Sequence, residues 1–482
     1  MNNKADNSFY LLTDIHYVSK NKWVEGKPIN NRERGDQIAL KSSPEIFEAF
    51  AEKILADSEI NTVVITGDNV DGGDILSHEE FREKIRALKA AGKNVYITVA
   101  THDYCSTGED ECCFHSACRY TETGTEPIPF MRRNELFDFY REFGPDQALS
   151  VHDESGSYTV KIGEGLRLIA IVDNGNGRSH CGLFEDGVEW LKGQIAAAKE
   201  AGDYVLLAVH HPVIPPWDVY SHMVDYEMYG GYRELWNLMW DENVRVIFTG
   251  HTHVQNIRKL ENDAGNWFVD VSTISLANAA GKMRKVTVDT ETGMCDIKSV
   301  GIEVLPGTDT GGLSAYEYLY TRNFPGIVQR ILPLASKDFD EFLKQAEGFL
   351  PVDKLAGKKF LVKRIANILM RRKLSSLIRF GRSGKLLSKE QKKYAKSVPL
   401  TDIIYEILRH IFTGNAPYTP DTVENIVLSA VCRRLDRLVE KLNVEKVKGM
   451  IPPGSSLNEM AQDFLYNTRT GDDDSITVQL IK

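Results

Sequence analysis

Short apolar runs alternate with amphipathic stretches through the first 300 residues, the pattern of a sheet flanked by helices. Phe9-Tyr10-Leu11-Leu12 predicts a first strand. Thr62–Thr66, Val95–Val99, Leu168–Val172, Tyr204–Val209, Val244–Thr249 and Trp267–Val271 predict further ones. Ser43 and Pro44 read as an N-cap and a first-turn proline, with Ile46, Phe50 and Ile54 at helical spacing behind them. Ser77 and Glu80 read as a capping box that opens a helix stopping at Gly92.

Turn formers at Leu305-Pro306-Gly307 and Thr310-Gly311-Gly312 interrupt this pattern. A domain boundary is placed there, giving an α/β (α+β) unit over 1–305 and a mainly helical domain over 306–482. Within the second unit the apolar spacing predicts helices over about 337–349, 358–380, 400–413 and 420–442. No internal repeat is visible.

Five of the predicted strands run directly into polar residues: Asp14 and His16, Gly67-Asp68, His102-Asp103, His210-His211, and Gly250-His251-Thr252-His253. Loops beyond the carboxyl ends of strands converge on one crevice, so residues spread over some 240 positions can meet. Aspartate and histidine together suit Mn, Fe or Zn better than Mg, and a carboxylate between two ions can bridge them. Paired ions clamp a phosphoryl group and activate water, which points to phosphate-ester hydrolysis. A single histidine is more often a structural residue than a ligand; the five blocks together reverse that balance.

The ordered blocks Asp14-Ile15-His16, Gly67-Asp68-Asn69-Val70-Asp71, Thr101-His102-Asp103, His210-His211-Pro212 and Gly250-His251-Thr252-His253 resemble the calcineurin-like metallophosphoesterase superfamily over roughly residues 8–300. The resemblance implies a two-sheet β-sandwich flanked by helices. It implies a first divalent ion held by Asp14, His16, Asp68 and His253, with Asp68 bridging, and a second held by His210 and His251. It makes His102 the candidate catalytic acid, with Asp103 orienting its imidazole and Asp71 supporting the site from behind. Attack on phosphorus by a hydroxide bridging the ions is the implied chemistry.

One block departs from the family, which usually has Gly-Asn before the His-Asp pair where this chain has Ala100-Thr101. Thr101 offers only a hydroxyl as a weak second-site ligand, so the second ion is expected to bind more weakly. The stretch Asp173-Asn174, Gly182-Leu183 and Val188-Glu189-Trp190-Leu191 looks like the class III cyclic-nucleotide phosphodiesterase branch. A phosphodiesterase, with cyclic nucleotides as leading substrate, is therefore preferred. The alternatives are a phosphomonoester or phospholipid head group as substrate, or a catalytically weakened binding or scaffold protein. Asn174, Arg178 and His180 are candidate substrate contacts, against a solvent loop without a role. His211 either contacts substrate or packs, because adjacent histidines diverge at a strand exit.

Charge adds a second theme. The net charge of -10 argues against a nucleic-acid polymer as partner and leaves a small phosphoester as the expected one. Yet Lys354 to Lys396 holds 15 Lys and Arg against the single acid Glu390, so this stretch carries +14 and the remainder -24. Phe360, Leu361, Ile365, Ile368, Leu369, Leu374, Leu377 and Ile378 interleave with those charges. A weak contact of 354–396 with an anionic membrane is weighed against a helix packed on the catalytic domain with its charges solvated or paired to the acidic remainder, and the packed helix is favoured.

Cys105, Cys112, Cys113 and Cys118, with His115, lack paired CxxC hooks, so free thiols are expected ahead of a structural zinc or a disulfide. The seven cysteines and the absence of a signal-type N-terminus predict a cytoplasmic protein, with an exported form the alternative had a leader been removed. Oligomeric state is not legible.

Overall fold

The computed structural model describes residues 7–34, 37–105, 117–173, 181–218, 220, 227–347, 352–442, 451, 454–466 and 470–482. In chain order the strands are β1 Ser8–Leu12, β2 Thr62–Thr66, β3 Asn94–Thr98, β4 Cys118–Tyr120, β5 Thr125–Pro127, β6 Ser150–Val151, β7 Tyr158–Gly163 and β8 Leu166–Ile171. They continue with β9 Tyr204–Val209, β10 Val246–Thr249, β11 Asn256–Glu261, β12 Trp267–Ser272, β13 Lys282–Asp289, β14 Met294–Gly301 and β15 Ser475–Gln479. Six form one sheet in the order β15-β14-β13-β1-β2-β3, and seven form another in the order β11-β12-β10-β9-β8-β7-β6.

The two sheets face each other across a core of Phe9, Leu11, Val64, Val160, Leu168, Leu206, Phe248 and Val269. Alternation along each strand sends the remaining side chains outward. Tyr10, Leu12, Val63 and Ile65 thus meet Phe47, Phe50, Phe81 and Ile85 of helices Ser43–Ala56 and Ile75–Ala90. On the other sheet Ile169, Leu207, Val209 and Ile247 meet Leu191, Ile195, Leu235 and Met239 of helices Glu185–Glu200 and Tyr232–Asp241. The strands β1, β2, β3 run parallel, as do β8, β9, β10, so their carboxyl ends reach one edge of the sandwich.

Two helix starts differ from expectation. Helix Ser43–Ala56 takes Ser42 as its cap, because the Ser43 hydroxyl accepts from Val18 N at 3.0 Å. Helix Ile75–Ala90 is capped by Asp74, whose carboxylate accepts from Ser77 N at 2.9 Å. Ser77 and Glu80 are instead used by Ser19, whose N donates to Ser77 Oγ and whose Oγ donates to Glu80 Oε1.

Beyond β14 the chain is mainly helical. Helices Leu400–Thr413 and Val423–Leu442 lie where the apolar spacing puts them, and Phe339–Ala346 falls within the expected 337–349. The helix expected over 358–380 is two, Lys359–Arg371 and Ser375–Gly381, because Arg372 turns to extended backbone and Lys373 bridges Pro399. Helix Phe324–Lys337 and the short helix Ala315–Tyr320 were not foreseen; the latter sends Ala315 and Leu319 into the first core. The final strand β15 returns to pair antiparallel with β14. Fully buried Arg284 anchors this return, donating to Ser272 O at 2.7 Å, Ser299 Oγ at 2.7 Å and Asp473 O at 2.9 Å. No described helix is long and apolar enough to cross a membrane.

His78 lies under the site, completely buried. Its Nε2 donates to the Asp103 carbonyl and its Nδ1 accepts from the Tyr140 hydroxyl, both at 2.7 Å, so the ring is held neutral. Burial lowers its pKa from 6.5 to about 4. Between those values the unfolded chain binds a proton that the folded chain refuses, so stability is full above pH 6.5 and falls as pH drops toward 4. The urea midpoint should record a loss on the order of 3 kcal/mol across this window. Replacing His78→Gln should flatten that dependence.

Candidate metal centre

The strand ends do not simply stop; they continue to pair through their loops. Asp14 N donates to Gly67 O at 3.1 Å, His16 N to Asp68 O at 3.0 Å, and Gly250 N to His210 O at 2.9 Å. This knits the loops after β1, β2, β9 and β10 into one floor. Asp14, His16, Asp68, His251 and His253 all have left-handed backbone, with φ between 45° and 65°. Such conformations cost on the order of 1–3 kcal/mol each in a non-glycine residue and persist only where surrounding structure enforces them.

Two glycines make room for that floor. A Cβ on Gly250 would stand 2.2 Å from Thr13 Oγ1 and 2.4 Å from Asp14 Oδ2. A Cβ on Gly67, which has φ +82°, would stand 2.6 Å from Ala100 Cβ and 2.8 Å from His210 Nδ1.

On the floor the expected residues meet. His253 Nε2 lies 3.0 Å from His16 Nε2 and 3.2 Å from Asp14 Oδ1. His210 Nε2 lies 3.0 Å from Asp68 Oδ2 and 3.8 Å from Asp14 Oδ1. Among the described residues, three-membered groups close enough to share an ion are Asp14, His16 and His253; Asp14, Asp68 and His210; His16, Asp71 and His102; and His210, His211 and His251. Asp14, His16, Asp68 and His210 are almost wholly buried.

The proton inventory shows that this donor set fits metal ions. His210 Nδ1 donates to the Thr66 carbonyl at 2.8 Å, so in a neutral ring Nε2 carries a lone pair aimed at a carboxylate. Two lone pairs facing each other require a cation between them or an added proton. Without a cation, burial opposes charging of the ring, but Asp68 and Asp14 outweigh it and push His210 up to about 9. Backbone donors also serve the carboxylates: His102 N reaches Asp68 Oδ1 at 2.9 Å, and His251 N reaches Asp14 Oδ2 at 3.0 Å.

Asp103 does not take the place expected for it. Its oxygens accept from Asn69 N at 2.7 Å, Val70 N at 3.0 Å, Asn69 Nδ2 at 2.9 Å and Ala100 N at 2.8 Å, which tie the loops after β2 and β3 together. Burial and the nearby Asp68 nevertheless push its carboxyl up to about 7. The carboxylate facing His102 is Asp71, whose Oδ1 lies 3.5 Å from His102 Nδ1 and 3.6 Å from His16 Nδ1, with Arg32 Nη2 at 2.8 Å. Asp71 thus lies within ion-pair distance of two imidazoles at once.

Thr101 is buried in the short turn Thr101–Asp103. Both ring nitrogens of His211 are engaged, Nδ1 by Asp173 Oδ2 at 3.1 Å and Nε2 by Cys181 Sγ at 3.2 Å, which favours packing over substrate contact. Asn174, Arg178 and His180 lie outside the described residues, as do Cys112, Cys113 and His115. Cys118 is a free thiol, and Cys105 Sγ donates to Gly72 O.

Two neighbours were not foreseen. Glu227 Oε2 lies 2.6 Å from His251 Nε2, and the Gln37 side-chain amide lies 2.8 Å from His253 Nδ1. Neither belongs to a motif block or follows a strand end, so no spacing could have marked them.

The family model described as calcineurin-like phosphoesterase matches residues 8–255. The chain belongs to the calcineurin-like phosphoesterase family. That family is metal-dependent and acts on phosphoesters, so the chain is a phosphoester hydrolase by membership. As a calcineurin-like phosphoesterase it is 24% identical over 250 residues to a probable cyclic nucleotide phosphodiesterase of Psychrobacter arcticus, covering 51% of this chain and 74% of that one. A dimetal phosphatase of Danio rerio is similar in structure, with 12% identity, a TM-score of 0.43, and coverage of 61% of this chain and 96% of that one. Purple acid phosphatase from yellow lupin seeds is similar with 14% identity, a TM-score of 0.39, and coverage of 61% and 51%.

Gly250→Ala tests the packed floor directly. The added methyl group must displace Asp14, so calorimetry should show divalent-ion affinity reduced at least tenfold, on the order expected when a ligand's support is lost, while far-UV circular dichroism is unchanged.

Proposed function

We propose that this calcineurin-like phosphoesterase is a phosphodiesterase working with two divalent ions, Mn, Fe or Zn, with cyclic nucleotides as the preferred substrate class. The observation that carries the reading is the convergence of Asp14, His16, Asp68, His210, His251 and His253, from four strand ends, into overlapping groups of ion-ligating atoms. The name of the Psychrobacter arcticus relative supports the diester preference. Residues 1–305 are the catalytic unit in this reading, with β15 of the remaining segment completing its first sheet.

Asp14, His16, Asp68 and His253 would hold the first ion, and His210 and His251 would hold the second, with Asp68 near both. When bound, such ions supply Lewis-acid charge to the phosphoryl oxygens and lower the pKa of water. The protein's own groups do the rest. The Thr66 carbonyl fixes the His210 tautomer, and the Asp71 carboxylate supplies negative charge beside the rings of His16 and His102.

His102 is more exposed than His16 or His210, at 17% against 1% each, and so stands at the rim where a substrate arrives. As water oxygen bonds to phosphorus and the phosphorus–oxygen bond to the alcohol breaks, His102 gives its proton to the departing oxygen. Glu227 offers, beside His251, a carboxylate at the position weakened by Thr101.

Asp68→Asn removes the shared carboxylate charge. Turnover of bis-p-nitrophenyl phosphate, p-nitrophenyl phosphate and cyclic nucleotides should all drop to background, and retained activity on any of them would overturn the site assignment. Ranking the wild-type rates on the same three substrates tests the diester preference.

Metal analysis under limiting metal should find one ion retained and the second lost on dialysis. Thr101→Asn should tighten the second. Two equally tight ions in the wild type would refute the role given to Thr101.

A further inference from the structure

Helix Lys359–Arg371 turns one side inward and the other to water. Val362 and Ala366 pack into the cluster built from Ile327, Ile331, Phe339 and Phe342. On the other side Phe360 is 80% exposed, Leu361 52%, Ile365 49% and Ile368 46%. Leu361, Ile365 and Ile368 stand at i, i+4 and i+7, which makes them one stripe, and Phe360 extends it at the helix start. Isolated exposed apolar residues are ordinary on a protein surface, whereas a run of four along one helix face is a contact surface.

The stripe is ringed by cations: Lys358, Lys363, Arg364, Arg371 and Arg372 belong to the segment that carries +14. Among the described residues only Lys359 of this segment is in an ion pair, with Asp340 at 3.4 Å, and both partners are exposed. Among the described residues, then, direct pairing with acids leaves nearly all of the segment's charge uncompensated.

We propose that helix Lys359–Arg371 docks on an anionic lipid bilayer, lying in the interface with Phe360, Leu361, Ile365 and Ile368 in the acyl boundary and the flanking Lys and Arg on lipid phosphates. Charge and apolarity select this occupant together. A second copy of the chain would bring one +14 segment against another. A nucleic acid would satisfy the cations but leave three aliphatic side chains in water. The helix lies on the membrane and does not span it, since 13 residues rise about 20 Å against a hydrocarbon core of roughly 30 Å.

The docking helix is joined to the metal centre by a short path. It packs on helix Phe324–Lys337, whose cap residue Asn323 donates to Gln37 O at 2.6 Å, and the Gln37 amide meets His253. A surface-bound enzyme would thus hold its site in a fixed relation to the bilayer.

Co-sedimentation of the full chain with vesicles tests this. Binding to phosphatidylglycerol–phosphatidylcholine vesicles should exceed binding to phosphatidylcholine alone by at least tenfold and weaken as salt is raised. Phe360→Ser with Ile368→Ser should reduce it at least tenfold. Arg364→Gln and Arg371→Gln should each reduce it about fivefold. Turnover of a soluble diester and far-UV circular dichroism should be unchanged in every variant, since all four side chains are surface groups outside the site.

Absence of binding to anionic vesicles at low salt would overturn the proposal, as would equal binding to both vesicle types. Displacement of bound vesicles by a single-stranded RNA oligonucleotide would reassign the surface to nucleic acid. Self-association abolished by the serine pair would reassign it to a second copy.

Discussion

Two buried carboxylates face buried imidazoles across about 3 Å in the floor of this protein, and the lone pair of His210 points at Asp68. Water cannot relieve that arrangement, because the groups are almost fully excluded from it. Only a cation or bound protons can balance the charge. Much of the local structure serves to hold these groups against their mutual repulsion: left-handed backbone at five of the candidate ligand residues, glycines at 67 and 250 where a methyl group would collide, and backbone donors to both Asp14 and Asp68. Rigidity here is the precondition of ion binding, since a site left loose by an ångström would lose its ligand geometry.

The sandwich supplies that rigidity through its topology. Parallel β1, β2 and β3 in one sheet and parallel β9 and β10 in the other send their carboxyl ends to a common edge. The interdigitated core between them fixes the separation of the two edges. Asp103, buried and satisfied by four donors from the β2 and β3 loops, acts as a rivet between two of the strand ends. Its elevated pKa follows from burial and from Asp68 nearby. A carboxylate in that role is costly to keep ionised, and binding cations on the floor would relieve it.

The two halves of the chain differ in how they meet water. The sandwich buries its apolar residues in three large clusters and a smaller fourth, while the helical segment builds two small ones and leaves apolar side chains of helix Lys359–Arg371 in solvent. Among the described residues of 354–396 only Lys359 is in an ion pair. A globular unit that needed only its own fold would have turned that face inward, so the arrangement makes sense as a surface with a partner.

Periodicity and motif order alone determined the seven strands foreseen, the two helices that cover the first sheet and the six candidate ligand side chains, because each depends on local pattern: alternation for strands, helical spacing for helices, a polar residue immediately after a strand. Strands β4, β5, β6, β7, β11, β13, β14 and β15 escaped, since they are short or mix polar with apolar residues and lack a continuous apolar run. The caps of the helices starting at Ser43 and Ile75 were misread by one and three residues for a tertiary reason: the hydroxyls of Ser43 and Ser77 serve Val18 and Ser19, not their own helices. Only the tertiary structure decided that Asp71, not Asp103, faces His102, and that Glu227 and Gln37 stand beside His251 and His253. Those contacts link residues from 24 to 216 positions apart along with the 31 between Asp71 and His102. A sequence lists which groups can ligate, donate or accept, but which of them meet is settled by how strands and loops far apart in the chain are packed together.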